Sequence, residues 1–228
     1  MNKVLGKLVS NFAVIFDMDG VLIDSVKYHW QAMNQVLAKY NIHIEDSERR
    51  HYIGQSVIHQ LNQISEKFQT TLNIDTIIEE LKPIKEDLQK GIQPKEGVDQ
   101  LIGLLHENGI PIAIGTSSTT ADTERKLTDA GIFHNFETLV THDDITEHKP
   151  DPTVYLAAAK KLHIQPSQCI VIEDAPSGIE AAKRAGMKCI AITAVYTTDD
   201  DLNGADIIVH SLLEVDLKLL DNLLTVSE

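Results

Sequence analysis

The sequence predicts an α/β protein in which a parallel sheet carries helices on both faces and is interrupted by an inserted all-helical domain. Three observations carry the prediction. Apolar runs of strand length alternate with stretches of helical spacing, most of those runs end at Gly, Ser, Thr or carboxylate residues, and residues 25–93 show helical spacing without a convincing strand.

The first run, Phe12-Ala13-Val14-Ile15-Phe16, is too short for a free-standing helix and rich in β-branched and aromatic residues, so it reads as a buried strand. It stops at Asp17 and Asp19, which flank Met18, and Gly20 lets the chain turn sharply there. Helical spacing follows at Tyr28, Met33, Val36, Leu37 and Tyr40, ending near Asn41. Apolar positions Ile58, Leu61 and Ile64, then Ile74, Ile77, Ile78 and Leu81, then Ile84 and Leu88 predict several short amphipathic helices, one of them kinked or ended by Pro83. The expected division is a core of residues 1–24 and 94–228 around a helical insert at 25–93, joined through linkers near 24–27 and 91–96.

From Pro94 the alternation resumes. A helix over 98–108 precedes a buried strand at 111–114 that ends in Gly115-Thr116-Ser117-Ser118, and a helix over 120–130 stops at Gly131. A short strand at 138–140 leads to His148-Lys149-Pro150-Asp151-Pro152, where Asp151 reads as a helix N-cap and Pro152 as the first helical residue. Cys169-Ile170-Val171-Ile172 is a strand ending at Glu173-Asp174, a helix spans 178–185, and strands at 189–192 and 207–209 complete the sheet.

Composition narrows the function. With 228 residues and 43% hydrophobic content the chain can bury a full core. Its 20 Lys+Arg against 34 Asp+Glu give a net charge of −14, the wrong sign for attraction to a nucleic-acid backbone. Residues 1–10 lack an apolar export segment, no run approaches membrane-spanning length, and Cys169 and Cys189 sit in or beside apolar runs as buried free thiols. A soluble cytoplasmic protein, monomeric or a small homo-oligomer, without nucleic-acid or membrane partners, is expected.

In a parallel sheet the residues after separate strands meet in one crevice at the carboxyl edge. Asp17 and Asp19, Thr116 and Ser117, and Glu173 and Asp174 are such residues, and Lys149 arrives there at a helix start. Carboxylates at Asp17 and Asp174 make an all-oxygen site suited to Mg²⁺. A carboxylate can also attack phosphorus to form an aspartyl-phosphate, with the Thr116 hydroxyl, the backbone N–H groups of 115–118 and the Lys149 ammonium stabilising the transferring group.

Asp17-Met-Asp-Gly-Val-Leu-Ile-Asp-Ser, Thr116-Ser-Ser, Lys149-Pro-Asp-Pro and Glu173-Asp-Ala-Pro-Ser-Gly-Ile together resemble the four motifs of the haloacid-dehalogenase-like hydrolase superfamily. The insert after the first motif resembles the helical cap of its β-phosphoglucomutase-like branch. The resemblance implies a Rossmann-like core, Asp17 as nucleophile, and Asp19 as general acid, then general base. It implies Mg²⁺ on Asp17, Asp174 and the Asp19 carbonyl with Glu173 in support, and Gly20, Thr116, Ser117 and Lys149 around the phosphoryl group. His29 resembles a hinge histidine placed near the leaving oxygen, and Gly54-Gln55-Ser56 resembles the cap's substrate loop.

One departure decides between two reactions. Where the mutases carry an Arg to grip a distal phosphate this chain has Val57; Arg49, Arg50, Lys82 and Lys85 are the candidate substitutes, but they read as solvated surface charges. The expectation is therefore a Mg²⁺-dependent phosphatase acting on a small phosphorylated metabolite of the sugar-phosphate class, with the mutase as runner-up. A phospho-accepting receiver module is disfavoured because receivers place the phosphorylated Asp on a later strand than their acidic pair and lack a helical insert.

Overall fold

The computed structural model describes residues 12–52, 56–194 and 197–225. Strand β1 (Ala13–Phe16) lies at the centre of a six-stranded sheet completed by β2 (Ile112–Gly115), β3 (Leu139–Val140), β4 (Cys169–Glu173), β5 (Lys188–Ile192) and β6 (Ile207–Val209). The order is β3-β2-β1-β4-β5-β6 and every pairing is parallel, so all six carboxyl ends share one edge.

The buried pattern of β1 follows from its position between two helical layers. Val14 and Phe16 face a cluster that includes Leu101, Ile102 and Leu105 of a helix over Val98–Glu107, whereas Ala13 and Ile15 face one that includes Val154, Tyr155 and Ala158 of a helix over Thr153–Leu162. That is the predicted arrangement, with helices on both faces. The helix start near Asp151 is displaced by one residue: Pro152 is the N-cap, while the Asp151 Oδ1 still accepts from the Thr153 backbone N–H at 2.9 Å.

Between β1 and β2 the chain forms helices α1 (Val26–Leu37), α2 (Asp46–Arg49), α3 (Val57–Lys67) and α4 (Ile74–Leu88). They enclose their own apolar cluster, with Trp30, Met33, Leu37, Leu61, Ile64, Ile77 and Leu81 buried together. One expectation is corrected here. Pro83 neither ends a helix nor separates two, because α4 runs through it from Ile74 to Leu88. Packing supplies the reason: Ile77 and Leu81 before the proline and Ile84 and Leu88 after it all join the same cluster, outweighing the missing N–H.

The chain leaves and re-enters the core side by side. Ile23 bridges Pro94 antiparallel, and the Lys95 N–H donates to the Leu22 carbonyl at 2.9 Å. Three further helices serve the core, α6 (Thr120–Asp129), α8 (Pro176–Arg184) and α9 (Leu217–Thr225), where α5 and α7 denote Val98–Glu107 and Thr153–Leu162. The last, α9, was not expected; it covers the β1 face with Leu220 and Leu223. Among the described residues no helix is long and apolar enough to cross a membrane.

Candidate active site

Pairing of β1 with β4 sets three carboxylates beside one another. The Asp17 N–H donates to the Ile172 carbonyl at 2.9 Å, and the carboxylates of Asp17, Glu173 and Asp174, all buried, offer oxygens within 4.8 Å of one another. At that separation each pair of charges repels by about 3–4 kcal/mol at an effective dielectric constant near 20. A cation is required for the group to stay ionised.

Lys149 supplies one. Its Nζ donates to Asp17 Oδ1 at 2.5 Å, to Glu173 Oε1 at 2.8 Å and to the Gly115 carbonyl at 3.1 Å, and it lies 4.8 Å from the centroid of the Tyr155 ring. Tyr155, on α7, donates its hydroxyl to Glu173 Oε1 at 2.8 Å, while Glu173 Oε2 accepts from the N–H groups of Asp174 and Ala175 at 2.8 and 2.9 Å. Both oxygens of Glu173 are thus engaged by the protein, which fixes the lysine against Asp17. This explains Gly178: a Cβ there would meet Glu173 Oε1 at 1.6 Å. Gly178→Ala is expected to cost about 1–3 kcal/mol and to lower activity by displacing Lys149, which thermal unfolding and steady-state assay of the same variant would check.

Electrostatics reflect this crowding. Burial, opposed by Lys149 and reinforced by Glu173 and Asp19, pushes the Asp17 carboxyl up to about 7 in the metal-free site. Burial and the charges of Glu173 and Asp17 hold Asp174 well above the usual carboxylate range. Burial disfavours the charge on Lys149, but Asp17 and Glu173 overcome it and keep the ammonium protonated beyond the ordinary lysine range.

The residues fit a hard divalent cation. Among the described residues the Asp174 carboxylate accepts no hydrogen bond, unlike Glu173, and it faces Asp17. Gly20, at φ +94°, makes room for it, since a Cβ there would lie 1.8 Å from Asp174 Oδ2. An oxygen-only group with one carboxylate left unpaired suits Mg²⁺-type coordination rather than an imidazole- or thiolate-seeking metal.

Asp19 is held on the other side of the crevice. Its oxygens accept from the Ser25 hydroxyl, from the Ser118 hydroxyl at 2.7 Å and from Lys126 Nζ at 2.9 Å. Burial opposes its ionisation, yet Lys126 and the two serines hold the carboxyl well below its ordinary value. Thr116 is buried and receives the Ser118 N–H on its hydroxyl at 3.1 Å, shaping the turn after β2.

These groups line a cavity of about 550 Å³ that reaches into the helical insert. There His29 is bonded to Gln60 Oε1 at 2.9 Å, and because Gln60 Nε2 donates to the Tyr52 carbonyl, the histidine is the donor through Nε2. Burial and the nearby Lys85 push the His29 imidazole down to about 4, so it is neutral near pH 7.

Asp17, Asp19, Thr116, Ser117, Lys149, Glu173, Asp174, His29 and Ser56 all line this cavity, so the strand-end residues do converge. Ser56 also caps α3, accepting from the His59 N–H at 3.3 Å; Gly54 and Gln55 lie outside the described residues. Sequence reasoning missed Lys126 and Tyr155, and it placed Ser25 and Ser118 in motifs without their bonds to Asp19. It also misjudged Lys85, which is not a solvated charge but lines the cavity from α4, because the expected break at Pro83 hid which face the following turn presents. Arg49 was misjudged as well: its side chain is 11% exposed, pairs with Asp46 at 2.6 Å and lies 6.0 Å from the Trp30 ring centroid, although it is not in the cavity lining.

Comparison with known proteins agrees with this geometry. Residues 14–192 match the haloacid dehalogenase-like hydrolase family. The chain is 30% identical over 96% of its length to a bifunctional riboflavin kinase/FMN phosphatase of Arabidopsis thaliana, spanning 57% of that protein. It is 32% identical over 78% of its length to a fructose-1-phosphate phosphatase of Escherichia coli, spanning 95% of it. Its structure is similar to β-phosphoglucomutase of Clostridium difficile, with a TM-score of 0.80, 26% identity, and coverage of 93% of this chain and 96% of the other. With a parallel-sheet core, an inserted helical cap and the family match across most of its length, the chain belongs to the haloacid dehalogenase-like hydrolases.

Proposed function

We propose that the protein is a Mg²⁺-dependent phosphatase that hydrolyses a small phosphomonoester, of the sugar-phosphate class, through an aspartyl-phosphate on Asp17. The observation that carries this reading is Lys149, clamped between Asp17 and Glu173 at the mouth of the central strand. It neutralises a nucleophilic carboxylate and, with its three N–H donors on Asp17, Glu173 and the Gly115 carbonyl, would meet an incoming phosphoryl oxygen through its charge and by exchanging one of those bonds.

Asp17 and Asp174, with the Asp19 carbonyl, would hold the metal, and Glu173 supports it by fixing Lys149. Bound there, Mg²⁺ supplies charge neutralisation for the phosphoryl oxygens. Asp17 attacks phosphorus as the bond to the leaving oxygen breaks; Asp19 gives that oxygen its proton. The serine and threonine turn after β2, with Gly20, Thr116 and Ser117, surrounds the transferring group. Water then attacks the aspartyl-phosphate, Asp19 takes back a proton, and the Asp17 carboxylate is released with inorganic phosphate. Asp19 is ionised here, the form needed for the second half, and an arriving phosphate dianion would raise its proton affinity for the first.

Phosphate release from a panel of hexose and pentose phosphates, phosphorylated sugar acids and sugar bisphosphates, with Mg²⁺ and with chelator, tests the reading; metal-independent release, or none from any ester, would overturn it. Asp174→Asn provides a separate check. Mg²⁺ at about a hundred times its Kd should stabilise the wild type by about 2.7 kcal/mol in thermal unfolding and leave the variant's transition almost unmoved. Lys85 favours the mutase as a second reading, since it supplies a cap cation; conversion of β-glucose 1-phosphate to the 6-phosphate with a bisphosphate primer would identify it. Cys169 and Cys189 are free and buried, which suits a reducing compartment such as the cytoplasm.

A further inference from the structure

Among the charges that face the cavity, Lys85 stands apart. Lys149 is taken by Asp17 and Glu173, and Lys126 by Asp19 and Asp122, with nitrogen-to-oxygen distances of 2.9 and 3.4 Å to the latter pair. Arg125, which faces Lys85 from the same helix as Lys126, pairs with Asp122 at 2.7 Å and donates to Gln89 at 2.9 Å. Lys85, in the last turn of α4, makes no side-chain hydrogen bond or ion pair among the described residues, although its side chain is half-buried and lines the cavity.

The local charge balance makes this more than an accident of exposure. The charges that act most on Lys85 are Lys126 and Arg125, which are positive, and Asp19 and Asp122, which are negative. By count these four offset one another, and none of them pairs with Lys85. Withdrawing an ammonium from water without a partner is unfavourable. Burial and Lys126 accordingly hold Lys85 below the ordinary lysine range, and its charge also bears on His29 across the cavity. In a chain of net charge −14 an isolated inward cation is a local exception.

We infer that Lys85 grips a second anionic group, carboxylate or phosphate, at the end of the substrate remote from the phosphoryl group held by Lys149. The substrate class is therefore a phosphomonoester that is negatively charged at both ends. This rests on reading the cavity as a phosphoryl-transfer site. It goes beyond that reading by excluding neutral sugar phosphates as the preferred ligands, and Gln60 and the neutral His29 are left to face the uncharged middle of the molecule.

The test reads binding, so it does not depend on which reaction follows. In an Asp17→Asn background with Mg²⁺ present, calorimetric affinities for sorbitol 6-phosphate, 6-phosphogluconate and fructose 1,6-bisphosphate are compared. The first two differ only in a neutral or carboxylate far end. The doubly anionic ligands should bind about tenfold to a hundredfold more tightly, the scale of one charge-assisted contact, beyond the twofold statistical advantage of the bisphosphate. Adding Lys85→Gln should remove that preference, and Lys85→Arg should retain most of it. A larger gain with 6-phosphogluconate assigns the group as carboxylate, and a larger gain with the bisphosphate assigns it as phosphate. Equal affinity for all three, or a Lys85→Gln loss that falls alike on neutral and anionic ligands, would overturn the inference. Mg²⁺-dependent release in the wild type without any anionic preference would remove this inference alone; preference in binding without release from any ester would remove the phosphatase reading alone.

Discussion

Asp17→Asn is expected to lower Mg²⁺-dependent phosphate release by at least about 10³–10⁴-fold while leaving the protein folded. An amide of nearly the same shape cannot attack phosphorus and form the acyl phosphate, and no neighbour is placed to replace it, because Glu173 spends both oxygens on the protein, Asp19 is held by Ser25, Ser118 and Lys126, and Asp174 would be engaged by the metal. The stability change should go the other way. In metal-free protein the Asp17 carboxyl rises to about 7, above its unfolded value near 4. The folded state therefore binds the proton more tightly than the unfolded state, and wild-type stability falls as pH rises from about 4 to 7. The Asn variant lacks this loss, so at pH 8 with chelator it should melt roughly 2–8 °C above wild type. Full activity in the variant would remove Asp17 as the nucleophile, whereas an unchanged melting temperature would remove only the electrostatic account.

How much of this was legible in the sequence follows from which residues owe their position to local chain direction. A strand end fixes where its next residues lie, so Asp17, Thr116, Glu173 and Asp174 could be placed in one crevice from six short apolar runs and the parallel rule. Helical residues carry no such guarantee. Lys126 sits on α6 beside Thr123 and Leu127, which are also buried; that i, i+3, i+4 stripe was the available signal, but a lysine one position before a leucine reads as the edge of a solvated face. Tyr155 reads as core, and it is buried, yet its hydroxyl finishes the Glu173 and Lys149 arrangement. Lys85 needed the whole path of α4, which continues through Pro83 only because Ile84 and Leu88 pack with Ile77 and Leu81. The unexpected parts are thus side chains whose direction is set by how one helix lies on another element.

The chain's dependence on a single buried ammonium gives the other large effect. Lys149→Met keeps the length and apolar stem of the side chain and removes the charge that touches Asp17 and Glu173. Three carboxylates within 4.8 Å then face one another with no cation paired to them, Lys95 acting on Asp174 without an ion pair, and Glu173 cannot turn away because Tyr155 and the N–H groups of Asp174 and Ala175 hold it. Removing one partner from a buried ion pair costs about 3–5 kcal/mol, so the metal-free variant should melt roughly 6–20 °C below wild type. Mg²⁺ should recover part of that loss, since a divalent cation on Asp17 and Asp174 relieves the same repulsion, and the variant's metal-induced shift should exceed that of wild type. Activity should not recover with it. Lys149 is placed to stabilise charge on the transferring phosphoryl oxygens as well as on Asp17, and loss of such a donor costs about 10²–10³-fold in turnover. Stability restored by Mg²⁺ with turnover still depressed would separate the two duties of this lysine; turnover restored together with stability would make it a structural counterion alone.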